Sequence, residues 1–409
     1  MRIRVARTSP VHKLTPPKKS RDSIPRGDRQ KPPFPLLVSE GHWARRPILV
    51  KGHRSMKLNV QGPDELIAAL PHILGFTPVE SLILVPFTPA LPVARVDLPG
   101  DSHEREAMVD QLRPAYLRHA GKAGPEAVLA VVCITENRHA ATAAAVAIEQ
   151  ALSPQLRVPI KLWANEQAWT DLDTGRTGPR STSAAGRFAA ETVAAGRAMP
   201  ARSREDLHTA LVGDRAGIAA SLPAALDGWE ASTVDTERRW VTNRVDRFLG
   251  DGVALSDPDA ARLLVATQAS AVRDAAWALM NRDDHQAHRA LWSDLTRRAP
   301  DEVRAPAATL LAFSAWLGGD GAGAWTALDQ IPEGQRDYRM ATLVATAIQS
   351  ALPPSDWEQI RPALFAESTA DLGPPIDPST PTTRRSGPVP SAQREPTTPT
   401  TTDIRPPSR

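Results

Sequence analysis

Residues 81–87, Ser-Leu-Ile-Leu-Val-Pro-Phe, constrain this chain more than any other stretch. A strand with no polar alternation must be covered on both faces, so helices are required above and below it. Residues 128–135 make the same demand and give a second central strand. Between and around these runs the pattern alternates. Lys57 to Val60 predicts a short strand, and Gly62-Pro63-Asp64 a turn into a helix, with Pro63 where a missing N–H is harmless. Leu66, Ile67, Leu70, Ile73 and Leu74 then recur at three and four residues to make one apolar face, and Gly75 is placed as a left-handed stop. Residues 93–98 alternate between Pro-rich flanks, which predicts a strand at the sheet edge.

The rest of the first half continues this alternation of helices and strands. A helix is expected over 103–119, broken over Gly121 to Pro125, and an alanine-rich one over 140–152. Residues 158–163 and 168–172 read as a strand pair followed by an Asp173-Thr174-Gly175 turn and a loop over 173–186. The expectation is an α/β domain over 56–186, a mixed sheet with flanking helices. From Arg187 the strand signals stop. Segments near 187–198, 204–226, 233–250, 257–281, 285–299, 301–318, 322–331, 337–351 and 355–365 each carry apolar residues on one face, which predicts an all-α domain over 187–365. Ser203-Arg204-Glu205-Asp206 resembles a capping box, and Asp257-Pro258 a helix start. Ala315 and Ala327, with Trp316 and Trp325 beside them and a Gly-Asp-Gly turn between, suggest a tetratricopeptide-like hairpin. Such arrays need about three repeats to be stable, so a generic helical bundle is the favoured reading.

Four runs occur in order along the chain: DELIAALPHILGFTPVESLILVPF, RVDLP, AAGRAMPARSREDL and RAPAATLLAFSAWLGGDGAGAWTALD. Together they resemble the DUF4192 family of uncharacterised bacterial proteins across residues 56–365. The resemblance implies a cytoplasmic protein with a mixed N-terminal part and a helical C-terminal part, and brings no substrate, cofactor or catalytic residue. Asp329-Gln330-Ile331-Pro332 departs from the basic, alanine-rich helix usual in relatives, which implies a shorter helix there.

Charge is distributed unevenly. Of 49 basic and 46 acidic residues, 14 and 3 precede residue 56, and five of each follow residue 365, which leaves 30 basic against 38 acidic in the middle. A mildly acidic body disfavours a nucleic-acid partner for the folded part, leaving the basic arm as the one place such a partner would fit. Residues 1–55 are rich in Arg, Lys and Pro without periodicity and are expected to be disordered. Lys51-Gly52 is what a purine-rich ribosome-binding sequence before Met56 would encode, which favours Met56 as the native start over a basic arm that touches nucleic acid or anionic lipid. Residues 366–409, with ten prolines among Thr and Ser, are expected to be a disordered tail. The lone Cys133 excludes an intrachain disulfide and its apolar setting points to core packing. With no signal peptide and no apolar run of spanning length, the chain is expected in the cytoplasm and off the membrane.

Few residues suggest chemistry. Arg95 and Asp97, two apart on a strand, share one face and could line a cleft at the sheet edge. Arg273-Asp274, inside an alanine-rich helix, reads as an ion pair that pins helices, or as a contributor to a composite site with Arg95 and Asp97. Ser81 follows a Pro turn but lacks a Gly-x-Ser-x-Gly elbow, so its hydroxyl is expected to satisfy the turn. Asp283-Asp284-His285-Gln286-Ala287-His288 contains metal-ligand residue types without a companion set, and reads as a polar helix start. Gly318-Gly319-Asp320-Gly321 has no preceding strand and no Gly-Lys-Ser/Thr, so a helix-hairpin turn is expected. No metal and no cofactor are expected. Seven of ten tryptophans lie beyond residue 200, as core anchors or, if several share one concave face, as a binding surface. The function read from these residues is non-catalytic binding or regulation of a protein partner or small molecule, on a helical scaffold. The rival is an enzyme with a pocket between sheet and helices.

Overall fold

A computed structural model of the chain describes residues 46–50, 56–88, 90–124 and 127–365, all within one compact unit. The basic segment before residue 46, residues 51–55 and the Pro/Thr-rich tail lie outside the described residues. Strand β1 (Arg46–Val50) pairs antiparallel with β2 (Met56–Val60), Arg46 opposite Val60. This corrects the expectation that everything before residue 56 lacks structure. A five-residue strand is too short to show its period in so basic a setting, and only the pairing and the burial of Ile48 reveal it.

The main sheet has six strands in the order β4 (Ala94–Asp97), β3 (Ser81–Pro86), β5 (Val128–Ile134), β6 (Arg157–Ala164), β7 (Ala168–Asp171) and β8 (Thr177–Pro179). Only β5 and β6 run parallel; the other neighbours are antiparallel. Every residue of β3 and of β5 is buried, as their composition requires. Leu82 and Leu84 of β3, with Leu129, Val131 and Cys133 of β5, pack under α2 (Ser102–Ala123) and α3 (Arg138–Leu152). The alternate residues, Ile83, Val85 and Val132, point to the opposite face. There α1 (Pro63–Leu74) packs against α4 (Thr182–Ala194) and reaches β7. Strand β4 is the edge predicted for it. Gly75 takes φ +83° where α1 stops, a conformation that glycine adopts without penalty.

Two boundaries differ from the sequence reading. Helix α2 runs through Gly121 to Ala123 and turns at Gly124, since one interior glycine costs only about 1 kcal/mol near a helix end. The loop expected over 173–186 contains β8 and the start of α4. Its signals are tertiary and local at once: Gly178 lies so close to the Trp169 ring that a Cβ there would stand 2.8 Å away, and Ser181 accepts from the Ala184 N–H at 3.1 Å to cap α4. A domain boundary at 186/187 therefore falls inside α4. After that helix, Ala201 still pairs with the α/β part, accepting from Thr77 N and donating to Gly75 O.

The second half is helical throughout among the described residues. Short α5 (Arg204–Thr209), capped by Ser203, precedes α6 (Ala216–Glu230), α7 (Val234–Asp251), α8 (Asp257–Ala266), α9 (Ser270–Ala278) and α10 (His285–Arg298). Then follow α11 (Asp301–Leu317), α12 (Gly321–Leu328), α13 (Arg339–Gln349) and α14 (Ser355–Leu364). Helix α12 is short, ending one residue before Asp329. Helix α11 was expected to bury one face, yet each residue from Val303 to Leu317 is buried. It is packed by α8, α10, α12 and α13, and its five alanines let those helices approach closely. Arg304 survives inside by bonding Ala299 O and Asp301. At one side of this core Trp277 stacks on Trp357 with ring centroids 5.1 Å apart, and Phe313 and Phe365 meet them edge-on. No helix among the described residues is long and apolar enough to cross a membrane.

Two consequences are measurable. Ile48 is 1% exposed, so Ile48→Ala should cost about 2–5 kcal/mol in denaturant unfolding, and a chain begun at Met56, which lacks β1, should unfold at lower urea than the full chain. His288 of α10 is fully buried, and burial pushes its pKa down to about 4, with Asp284 and the Leu279 carbonyl acting in the opposite sense. Between pH of about 6.5 and 4 the unfolded chain therefore takes up a proton that the folded chain does not. Stability should fall as the pH drops through that window, by about 3 kcal/mol at its lower end, and His288→Leu should flatten that part of the pH–stability curve.

Candidate functional site

The β4 edge of the sheet does not end in solvent; it faces the helical part across a cleft of about 1490 Å³. One wall is β4 with the preceding loop and the outer turns of α2. The other is built from the start of α10, the α11–α12 turn and the α13–α14 connection, and the segment after α4 closes one side. Polar bridges hold the walls together. Arg118 donates to Ser350 O at 3.0 Å and His119 Nε2 donates to Ala351 O at 2.9 Å, linking α2 to the α13–α14 connection. Ala351 has φ +51°, a left-handed conformation unusual for alanine, so the carbonyl that receives His119 stands on strained backbone. Within the helical part, Arg204 pairs with Asp329 at 2.9 Å and links α5 to the end of α12.

Arg95 and Asp97 do share a face, and they form a 2.7 Å ion pair on the cleft wall. Arg95 is the more enclosed partner, 17% exposed against 78% for Asp97, and its Nε also donates to Ser81 Oγ at 2.8 Å. Ser81 Oγ in turn donates to Val79 O at 2.6 Å, so the hydroxyl belongs to the turn as expected. Burial lowers the Arg95 pKa from its ordinary value and nearby Arg204 acts in the same sense, against the pull of Asp97. Arg273 and Asp274 lie elsewhere. They pair with each other at 2.6 Å, Arg273 also donates to Tyr338 OH at 2.9 Å, and neither is among the residues lining the cleft. The structure thus brings Arg95 to Asp97 and keeps the α9 pair apart from them, in a helix-pinning contact between α9 and Tyr338.

The polar run before α10 is a turn. Asn281 Oδ1 accepts from the Asp283 and Asp284 N–H groups, and His285 Nδ1 donates to Arg282 O at 2.7 Å. His288 points inward from the same helix, and among the described residues no three His, Cys, Asp or Glu side chains converge as a metal site. Cys133 is enclosed, its thiol pushed up to about 12 by burial, so little thiolate exists near neutrality.

Sequence reasoning missed the basic groups on the far side of the cleft. Arg197, Arg204 and Arg289 all line it, as do Asp320 and Trp325. Arg289 pairs with Asp320 at 2.7 Å, and Asp320 also accepts from the Gly323 N–H at 2.7 Å as the cap of α12. The Gly318–Gly321 segment is the helix-hairpin turn expected, with Gly319 at φ +76°, but it forms part of the cleft wall. Gly318 is packed on His285, leaving no room for a side chain. The available sequence signal was the Arg197 and Arg204 spacing around AMPARSR, which is uninformative until α10 and α12 are folded against it.

Among the described residues, the lining contains neither serine nor cysteine. It offers charge recognition and apolar contact, with Val93, Met199 and Leu352 exposed at its surface, and no serine or cysteine nucleophile. No curated protein and no solved structure matches this chain. A family model described as a domain of unknown function, DUF4192, matches residues 63–355, from the first residue of α1 to the first residue of α14. The matched span contains the whole main sheet and nearly all of the helical part, and the chain belongs to the DUF4192 family.

Proposed function

We propose that this protein binds a small organic molecule, without transforming it, in the cleft between the β4 edge and the helices. The supporting observation is the cleft itself: about 1490 Å³, walled by segments from both halves of the chain, with apolar and basic side chains on one continuous surface. Ligand sites are concave, mostly apolar and fitted with a few convergent polar groups, and they favour junctions between structural parts. Val93, Met199 and Leu352, at 36%, 52% and 45% exposed, are apolar groups left uncovered at this junction. A regulatory role follows naturally from such a site, because a ligand touching both walls would tighten their relation. The α11–α12 hairpin, with Ala315 and Ala327 both buried, supports a tetratricopeptide-like packing at this wall as the finer reading of the helical part. The enzyme reading that joined Arg95 and Asp97 to Arg273 or Asp274 has no support from the cleft, whose lining includes the first pair alone.

A thermal-shift screen of a metabolite library on the full chain tests the proposal, since a ligand bound only by the folded state raises the melting temperature by mass action. Val93→Trp places an indole in the cleft from an exposed position, so the unliganded variant should melt close to the wild type while losing the shifts that true ligands give. Shifts that persist undiminished in this variant would place the ligand elsewhere and reject the cleft.

A further inference from the structure

Arg197 is the one arginine of the cleft lining whose side chain has no hydrogen bond and no ion pair among the described residues. Its Nη1 is enclosed by protein and unpartnered. Asp320, the acid whose charge it feels, is already engaged: one carboxylate oxygen caps Gly323 N and the other pairs with Arg289. That clamp depends on glycine at 323, where a Cβ would stand 2.5 Å from Asp320 Oδ2 and 2.9 Å from Arg289 Nη2. Arg289 thus holds that carboxylate directly, and Arg197 feels its charge without touching it. His72, which also feels Arg197, adds no anion: its Nδ1 meets Thr192 Oγ1 at 2.7 Å, and burial followed by the Arg197 charge lowers its pKa, favouring the neutral ring. Burial and the Arg289 charge likewise lower the Arg197 pKa from its ordinary value, while Asp320 resists.

Arg197 as a whole is only part-buried and lines the cleft, so its guanidinium is reached from there although Nη1 itself is enclosed, and the planar fork of arginine is matched by carboxylate and phosphate oxygens. We propose that Arg197, with Arg289 beside it, anchors an oxyanion group of the cleft's ligand, a phosphate or a carboxylate, at the end of the cleft formed by the start of α12. This assignment rests on the cleft reading above and names the chemical class of its ligand. The neighbouring Arg95 is already satisfied by Asp97 and Ser81, and Arg204 by Asp329, which leaves Arg197 as the vacant donor.

The test uses the full chain with inorganic phosphate, pyrophosphate and citrate as probes, against sodium chloride at matched ionic strength, read by thermal shift and titration calorimetry. At least one oxyanion should raise the wild-type melting temperature above the chloride control, and comparing citrate with the two phosphates separates carboxylate from phosphate recognition. Arg197→Gln should weaken that binding by about tenfold or more. Without ligand it should melt at or above the wild-type temperature, because it removes an unpaired charge. Arg197→Lys, which keeps the charge and loses the fork, should fall between, and Arg157→Gln, at an exposed position outside the lining, should bind as the wild type does. Equal oxyanion affinity in the wild type and Arg197→Gln, or no oxyanion effect in the wild type, overturns the assignment. Neutral compounds that still bind and are lost in Val93→Trp would then leave the cleft reading standing without its anionic anchor.

Discussion

The architecture depends on segments that no arrangement can leave facing water. Strands β3 and β5 are apolar on both faces, so the sheet needs a helical layer on each side, and α1 with α4 and α2 with α3 supply them. Helix α11 imposes the same demand in three dimensions, because a helix buried around its whole circumference must be surrounded by other helices. The chain therefore builds two cores of different kind, one layered and one concentric. Most of the remaining helices have one buried face and serve as cover for one core or the other.

Two such cores cannot be fused by apolar contact along their whole junction without losing the exposed edge of the sheet. Here hydrogen bonds from α2 cross the junction. Arg118 and His119 reach across it to backbone carbonyls at Ser350 and Ala351. These bonds fix the separation of the walls and leave the space between them open. The left-handed backbone at Ala351 is consistent with a position chosen by the needs of the junction more than by local preference. The cleft is bounded by segments from both halves of the molecule.

Charge across the described residues largely follows one rule. Enclosed arginines are matched: Arg304 by Asp301 and a carbonyl, Arg95 by Asp97 and Ser81, Arg273 by Asp274 and Tyr338, and buried Glu237 by a bidentate Arg262 that also covers the Trp240 ring. Lys161, 5% exposed, is held between Glu149 and Asp173. Buried polar groups are ordinarily satisfied in this manner because the alternative is an uncompensated desolvation cost. Arg197 stands outside the pattern, and it stands in the cleft.

Much of the first half was legible because strands buried on both faces and glycine stops are local facts: β3, β5, the α1 helix with its Gly75 cap and the edge placement of β4 follow from residue order alone. The helical second half was legible as helices, yet 204–226 and 257–281 each divide in two, because breaks at Gly213-Asp214 and at Thr267–Ala269 are decided by packing. Strands β1 and β8 escaped notice because Arg-Pro-Ile-Leu-Val in a basic setting and Thr-Gly-Pro show no alternation of their own, and only their pairing with β2 and β7 defines them. The Arg95–Asp97 pair could be read from a spacing of two on a strand. Arg197, Arg289 and Asp320 could not, because they are separated by long stretches of chain and no local periodicity relates them. Sequence order determined which surfaces had to be hidden; only the folded chain decided which charges would meet, since side chains remote in sequence become neighbours through packing and acquire their electrostatic partners there.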